Sequence, residues 1–488
     1  MAVIFTVKTW NINFKSITVE PIMFLYMFSS FLQFTTLQAL IYDKVCMERY
    51  NDTVCDNLSN DTFEAEEDIV QKKTSTWFLY FNITMTVPAM LSMMFFLGPL
   101  GDTVGRKLPV LFPLVGASLA SISNVVNSVY MEASISYLLI GAFLNGLMGS
   151  FLALLMATYS YIAHVSTPGR KTVRIGILEA MVFLSGTVGT ALSGVMLDHT
   201  SYVFVFSLLL GIMILAIIYT VFWLENVKVE ESETSPGQES AGVGAICQLF
   251  LTMGKDVFLC VYNKRTEKKK LVYLTLLILI LFCLMLDTAG EGDILLIYTR
   301  YHPFNWSQTK LGLYKGLESF LRGLAVLTLL PLLKVKMKVK DTAIIIIGLL
   351  SKIALLIMLG VANSTALLFI GSVLGTLQGF GSAAIRSMSS SLVQTSEQAK
   401  LFSLIGIFES IASLAASSIF NNVYNATLEF FPGFCFLMAA LIIGLCVLVA
   451  IYMHVTFYKY IPQEYGTLQN ETVDDMIVNE DGIEPHIS

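Results

Sequence analysis

The chain has 488 residues, of which 55% are hydrophobic and only 14% charged. A soluble protein of this length could not bury so much apolar surface without exposing large patches, so a membrane-embedded chain is expected. The net charge of −6 lies mostly in loops and tail, which excludes a nucleic-acid partner.

Apolar runs, each near the ~20 residues a membrane-crossing helix needs, fall at 17–42, 75–100, 108–129, 135–162, 174–197 and 202–225. Six more follow at 271–298, 309–333, 342–362, 366–391, 401–423 and 433–457. They predict an all-α membrane protein of twelve transmembrane helices. Residues 1–16 precede them, and the first span is expected to act as its own insertion signal. Arg106/Lys107, Arg170/Lys171, Lys264 to Lys270, Lys334 to Lys340 and Lys400 crowd the even loops, which places those loops in the cytosol. The odd loops carry Asn-x-Ser/Thr glycosylation signals at Asn51, Asn57, Asn60, Asn363 and Asn425, on the opposite face. Both termini are then cytosolic. Lys44, Arg49, Lys72 and Lys73 blur the charge rule in the luminal loop 43–74, and the sequons decide its side. Cys46 and Cys55 share that oxidising loop and are candidates for a local disulfide. The seven cysteines follow no metal spacing.

Residues 226–270 interrupt the apolar rhythm with a polar, turn-rich linker, dividing the chain into halves at 17–225 and 271–457. The tail, 458–488, is acidic and expected to be disordered. It contains Tyr465-Gly-Thr-Leu468, a short tyrosine pattern that a clathrin adaptor could take up as an added strand.

Between the second and third spans stands Gly98-Pro-Leu-Gly-Asp102-Thr-Val-Gly105-Arg106-Lys107. It resembles the loop signature of the major facilitator superfamily, whose 6+6 halves rock about a midplane site. Gly105 suits a tight turn. Asp102 can pair with Arg106 and with a neighbouring helix end, so a cytosolic gate is expected here. In span five Gly186, Gly189 and Gly194 stand without a proline, which suggests close helix packing and no antiporter motif.

Ionisable groups inside spans are costly and usually functional. Glu179 in span five and Arg386 in span ten lie at comparable depth in opposite halves. They can pair across a cavity, or Arg386 can clamp a substrate carboxylate with its two-pronged fork. Asp287 and Glu291 in span seven share a helical face. Two carboxylates that close repel when both are charged, so one can hold and release a proton. Against this, they could sit in water at the luminal mouth. Gly290 and Gly292 beside them suggest a bend or local unwinding. Glu318 and Arg322, four apart in span eight, read as a satisfied internal pair. Glu409 in span eleven is expected to line the cavity, and His164 sits at the cytosolic end of span four near other charges. No span gathers a catalytic histidine, serine or metal cluster, so neither an enzyme nor a cofactor is expected.

Three stretches are more specific than the superfamily loop: Arg170-Lys-Thr-Val-Arg174-Ile-Gly-Ile-Leu-Glu179-Ala, Thr395-Ser-Glu397-Gln398-Ala-Lys-Leu-Phe402-Ser, and Ile419-Phe-Asn421-Asn-Val-Tyr424-Asn-Ala-Thr427. With Gly292-Asp293-Ile-Leu-Leu-Ile-Tyr298 and Pro303-Phe-Asn-Trp306, they resemble the proton-coupled folate transporter family, solute carrier family 46. The resemblance implies a symporter that carries an organic anion into the cytosol with protons. It implies Glu179 as the proton-coupling carboxylate, Arg386 as the substrate- and proton-linked arginine, and Tyr298 as a residue near the site. Asp102 and Arg106 match the family's loop pair. Thr288 stands where the folate branch has a histidine, His164 where it has an acid, and Asn305 where it has a cysteine. Glu409 resembles the lysosomal sibling instead. These departures point to the siblings that move other solutes, with muropeptides, cyclic dinucleotides and drug catabolites as candidates. The tail pattern, the Glu409 match and the sequon-rich first loop point to an endolysosomal membrane, with the plasma membrane close behind. A receptor-like or scaffold protein that kept the fold without transport is the alternative.

Overall fold

The computed structural model describes residues 17–55, 64–227, 268–300, 304, 306, 308–394, 397–427 and 431–460. Its twelve membrane-length apolar helices are, in order, Glu20–Arg49, Thr76–Gly101, Lys107–Val129, Ile135–Val165, Arg170–Leu197, Tyr202–Trp223, Lys269–Leu295, Lys310–Lys336, Asp341–Val361, Thr365–Ser391, Gln398–Tyr424 and Phe434–Phe457. They are called spans one to twelve below. Helices satisfy their own backbone groups, which is what an apolar surround demands. Most of the linker 226–270 and all of the tail motif Tyr465–Leu468 lie outside the described residues.

The luminal excursion differs from the expected loop. The first helix runs on to Arg49, a short helix covers Asp52–Cys55, and the next helix starts at Glu64. Lys44 explains the first extension. It is 2% exposed, and its ammonium donates to the carbonyls of Tyr130, Met131 and Ala133 in the turn between spans three and four. This lysine therefore ties down a luminal turn and carries no topological weight, which removes one of the charges that blurred the sequence reading. Cys46 and Cys55 are joined as a disulfide.

The two halves share their irregularities. Spans two and eight each carry a π-helical turn near the end that leads into a basic loop, at Met93–Leu97 and Leu332–Lys336. Spans four and ten are each broken, the first at Gly149 and the second by the 3-10 turn Gly375–Leu377. Gly149 adopts a left-handed φ of +92°. A Cβ there would fall 2.3 Å from Ala153 and 2.5 Å from Leu97, so only glycine fits. Such breaks are tolerated where neighbouring helices bury the freed backbone. Each break sets off the segment of its span that carries Tyr159 in one half and Arg386 in the other.

Span seven corrects an expectation. It is a continuous helix from Lys268 to Arg300, with no unwinding at its glycines. Gly290 serves packing: the Phe420 ring lies 2.4 Å from where its Cβ would be. Gly186 and Gly189 likewise let Phe31 and Phe28 of span one approach span five.

Two apolar cores result. The larger runs through both halves. The smaller, with Leu40, Phe81, Leu138 and Phe206, belongs to the luminal ends of the first half and includes no residue of the second.

Candidate functional site

The named contacts between the halves lie between mid-membrane and the cytosolic face. Gly98 meets Ser403 of span eleven so closely that a Cβ would fall 2.4 Å from its Oγ, and Gly101 meets Ala399 at 3.0 Å. Tyr159 and Phe402 stack at 5.8 Å. Gly176 of span five fits against Leu330 of span eight. Thr172 donates to Asp341 at 2.8 Å and shares a hydrogen bond with Ser387 at 2.8 Å. Asp341 in turn pairs with Lys334 at 2.8 Å. The side that bears the basic even loops is thus closed by a seam of small residues, stacked rings and buried polar bonds.

The signature loop lies beneath this seam. Gly105 has φ +124°, and Asn226 occupies the place its Cβ would need. The backbone N–H of Arg106 donates to the Val227 carbonyl, and its guanidinium donates to Ser160 of span four at 2.5 Å. These bonds stay inside the first half. Arg106 thus ties the base of span four to the start of the linker, while Gly98 and Gly101 meet the other half directly. Asp102 lies on the helix Gly98–Thr103, with its side chain outside the described residues. A Gly98→Val variant should loosen the seam, since overpacking costs about 1–3 kcal/mol, enough to shift a two-state balance roughly tenfold. A cysteine at Phe402 would then label faster with a membrane-impermeant maleimide applied from the cytosol. An unchanged rate would mean the glycine is dispensable for closure.

Above the seam lies the charge centre. Arg386 donates to Glu179 of span five, across the halves, and to Glu409 of span eleven at 2.5 Å. The guanidinium also lies over the Tyr159 ring, 4.9 Å from its centroid. Arg386 is 4% exposed and Glu179 6%. Tyr159, Arg386 and Glu409 line a pocket with Leu152, Met156 and Phe402. The arrangement holds one guanidinium against two carboxylates, so it carries one surplus negative charge when all are ionised. Burial opposes such a surplus, and a proton on either acid removes it.

Asp287 and Glu291 are not part of this centre. They face Lys352 of span nine, at 3.0 and 2.5 Å, and all three are buried, which overturns the reading of a solvated luminal mouth. Tyr298, expected near the site, is committed elsewhere. Its hydroxyl donates to the Leu359 carbonyl at 2.8 Å, and its ring packs on Phe304 and Phe436. It fastens span seven to span nine at their luminal ends. Glu318 and Arg322 pair at 2.5 Å, and Gln378 adds a bond to Glu318 at 3.1 Å. Of the glycosylation signals, Asn51 and Asn363 are exposed, and Asn425 sits on the last turn of the span-eleven helix with its side chain outside the described residues. Asn57 and Asn60 lie outside them altogether. Lys352 is absent from the sequence-derived set, although a lysine midway along an apolar span is the same signal that singles out Glu179. Tyr159, Thr172 and Asp341 carried no such signal, because aromatic, hydroxyl and end-of-span residues are ordinary in membrane helices.

A sequence model described as Major Facilitator Superfamily matches residues 21–417. A chicken protein, the lysosomal proton-coupled steroid conjugate and bile acid symporter SLC46A3, is 30% identical over 87% of this chain and 91% of its own. The chain belongs to the solute carrier 46 family of the major facilitator superfamily. The bovine proton-coupled folate transporter is 31% identical, over 89% of this chain and 91% of its own. Among solved structures, the human organic anion transporter MFSD10 aligns with a TM-score of 0.66 at 15% identity, covering 88% of this chain and 98% of that one, a likeness of fold. As a member of this family the chain is a multi-pass membrane protein, and its twelve spans are those of a 6+6 transporter.

Proposed function

We propose that the chain is a proton-coupled symporter that moves an organic anion into the cytosol by alternating access. The observation that carries this is the single buried guanidinium shared by two acids, one from each half. An incoming anion and the two carboxylates compete for the same fork of N–H donors. With both acids charged, Arg386 is occupied. A proton taken from the acidic side neutralises one acid, frees donors for the anion, and weakens the one ion pair that bridges the halves here. The anion and the proton then enter together, because the anion finds free donors on Arg386 only after a proton has neutralised one of the acids that hold them. The seam below can part once the bridge to Glu179 is released.

The named relatives handle steroid conjugates, bile acids and folate, so those are the probes of choice. Vesicle uptake of a tritiated sulfated steroid, a bile acid and folate, each at acidic and neutral outside pH, tests the reading. At least one probe should accumulate faster at acidic pH and collapse with a protonophore. Accumulation of none would favour a receptor-like protein that kept the fold.

For location, an endolysosomal membrane fits the lysosomal relative and the sequon-rich first loop, with the plasma membrane as the other address. Glycans on Asn51, Asn57, Asn60, Asn363 and Asn425 would shield the luminal face. If Tyr465–Leu468 docks an adaptor, Tyr465→Ala moves a tagged protein to the cell surface; an unmoved distribution would make the pattern accidental.

A further inference from the structure

The second charge cluster lies wholly within the C-terminal half. Asp287 and Glu291 of span seven face Lys352 of span nine, and these three side chains are 1%, 5% and 1% exposed. Lys352 donates to Glu291. It lies 3.0 Å from Asp287, yet neither oxygen of Asp287 has a partner in hydrogen-bonding geometry among the described residues. Span eight contributes Lys315, Glu318, Arg322 and Tyr314 to the surroundings, and Cys446 approaches Asp287 from span twelve. Glu318 and Arg322 neutralise each other. Lys315 is half-buried and lies on the side of Glu291. Asp293, further along span seven, is exposed. The fully buried members therefore repeat the ratio found at Arg386, two acids to one base, and the odd acid is Asp287.

We propose that Asp287, positioned by Lys352 beside Glu291, is a second proton-binding site, giving the protein two exchangeable protons: one on the inter-half seam and one inside the C-terminal half. A buried carboxylate that shares one lysine with a second acid is costly, while its protonated form is neutral and can donate a hydrogen bond. Glu291 and Lys352 remain as a balanced pair in both states. The use of this proton in transport rests on the symport reading above, whereas its existence does not.

The test counts protons directly. Purified full-length protein in detergent is stepped from neutral to acidic pH, and proton uptake is read with an indicator dye. Asp287→Asn and Glu291→Gln each leave one acid facing one base, so each should fold and take up one proton fewer than the wild type. Glu179→Gln should also lose one proton, and its combination with Asp287→Asn should lose two. Lys352→Met should take up its protons at higher pH than the wild type, because two buried acids then lack a base; a merely structural lysine would not produce that shift. Infrared difference spectra of the unaltered protein should contain protonated-carboxyl bands from two side chains. Wild-type counts in both Asp287→Asn and Glu291→Gln, an unshifted pH of uptake in Lys352→Met, or a single carboxyl band that Glu179→Gln removes, would each overturn the second site. A wild type that takes up no proton and shows no acid-stimulated uptake would overturn the symport reading as well.

Discussion

Arg386→Ala should abolish acid-driven uptake of whichever anionic probe the wild type carries, with apparent affinity falling by one to two orders of magnitude. A charge-assisted hydrogen bond contributes roughly 1.5–3 kcal/mol, and about 1.4 kcal/mol corresponds to a tenfold change in affinity. The variant also strands Glu179 and Glu409 together in a buried place. Breaking one partner out of a buried ion pair costs on the order of 3–5 kcal/mol unless the survivors take up protons. The variant is therefore expected to be less stable at neutral pH than at acidic pH, since acid supplies those protons. Arg386→Lys separates charge from geometry. A lysine keeps the positive charge but cannot fork between two acids or lie flat on Tyr159. Its stability should stay near wild type while affinity still falls. Binding of the probe by scintillation proximity, with monodispersity checked by size exclusion, reads both effects. Wild-type affinity in a folded Arg386→Ala protein would leave the arginine as a structural residue only.

Glu179→Gln should behave in the opposite way, keeping transport while removing its dependence on protons. Glutamine imitates the protonated acid, and Arg386 retains a balanced partner in Glu409. Uptake down a solute gradient, and exchange of labelled for unlabelled probe, should persist at neutral pH. The acid stimulation, and accumulation against a gradient, should disappear. Because the pair Arg386–Glu179 also bridges the halves, the variant should part its cytosolic seam more readily. A wild-type pH response in a protein that reaches the membrane would remove Glu179 from the coupling role.

The twelve spans and the two-half plan were legible because lipid imposes a coarse code of apolar length. The seam centre was half legible. Glu179, Arg386 and Glu409 stand out as charges within apolar runs, and their depths suggest a meeting. The Tyr159 platform does not stand out, since a tyrosine in a membrane helix carries no positional label. Lys352 was within reach of the same reasoning applied to span nine. Tyr298 shows where resemblance outruns geometry: its sequence context matches a family site, yet its hydroxyl closes on a backbone carbonyl inside an aromatic cluster. Span seven shows the limit of reading glycines as hinges. Gly290 fits a neighbouring ring against the helix, and the helix stays continuous through it. The luminal extension of the first helix was hidden because Lys44, a charge at a span end, is satisfied by three carbonyls from a distant turn.

The separate luminal core of the first half has a kinetic consequence. Leu40, Phe81 and Phe206 pack among themselves and their own half, so the two halves can stand apart on that side without wetting a shared apolar surface. Parting the cytosolic side, by contrast, requires Tyr159 and Phe402 to unstack and Thr172 to leave Asp341. The carrier should therefore rest facing the lumen and behave as a rectifier, with influx outpacing efflux at equal and opposite gradients. Compounds that arrive from the luminal side would find an entrance already open, while those in the cytosol would have to wait for a rare opening.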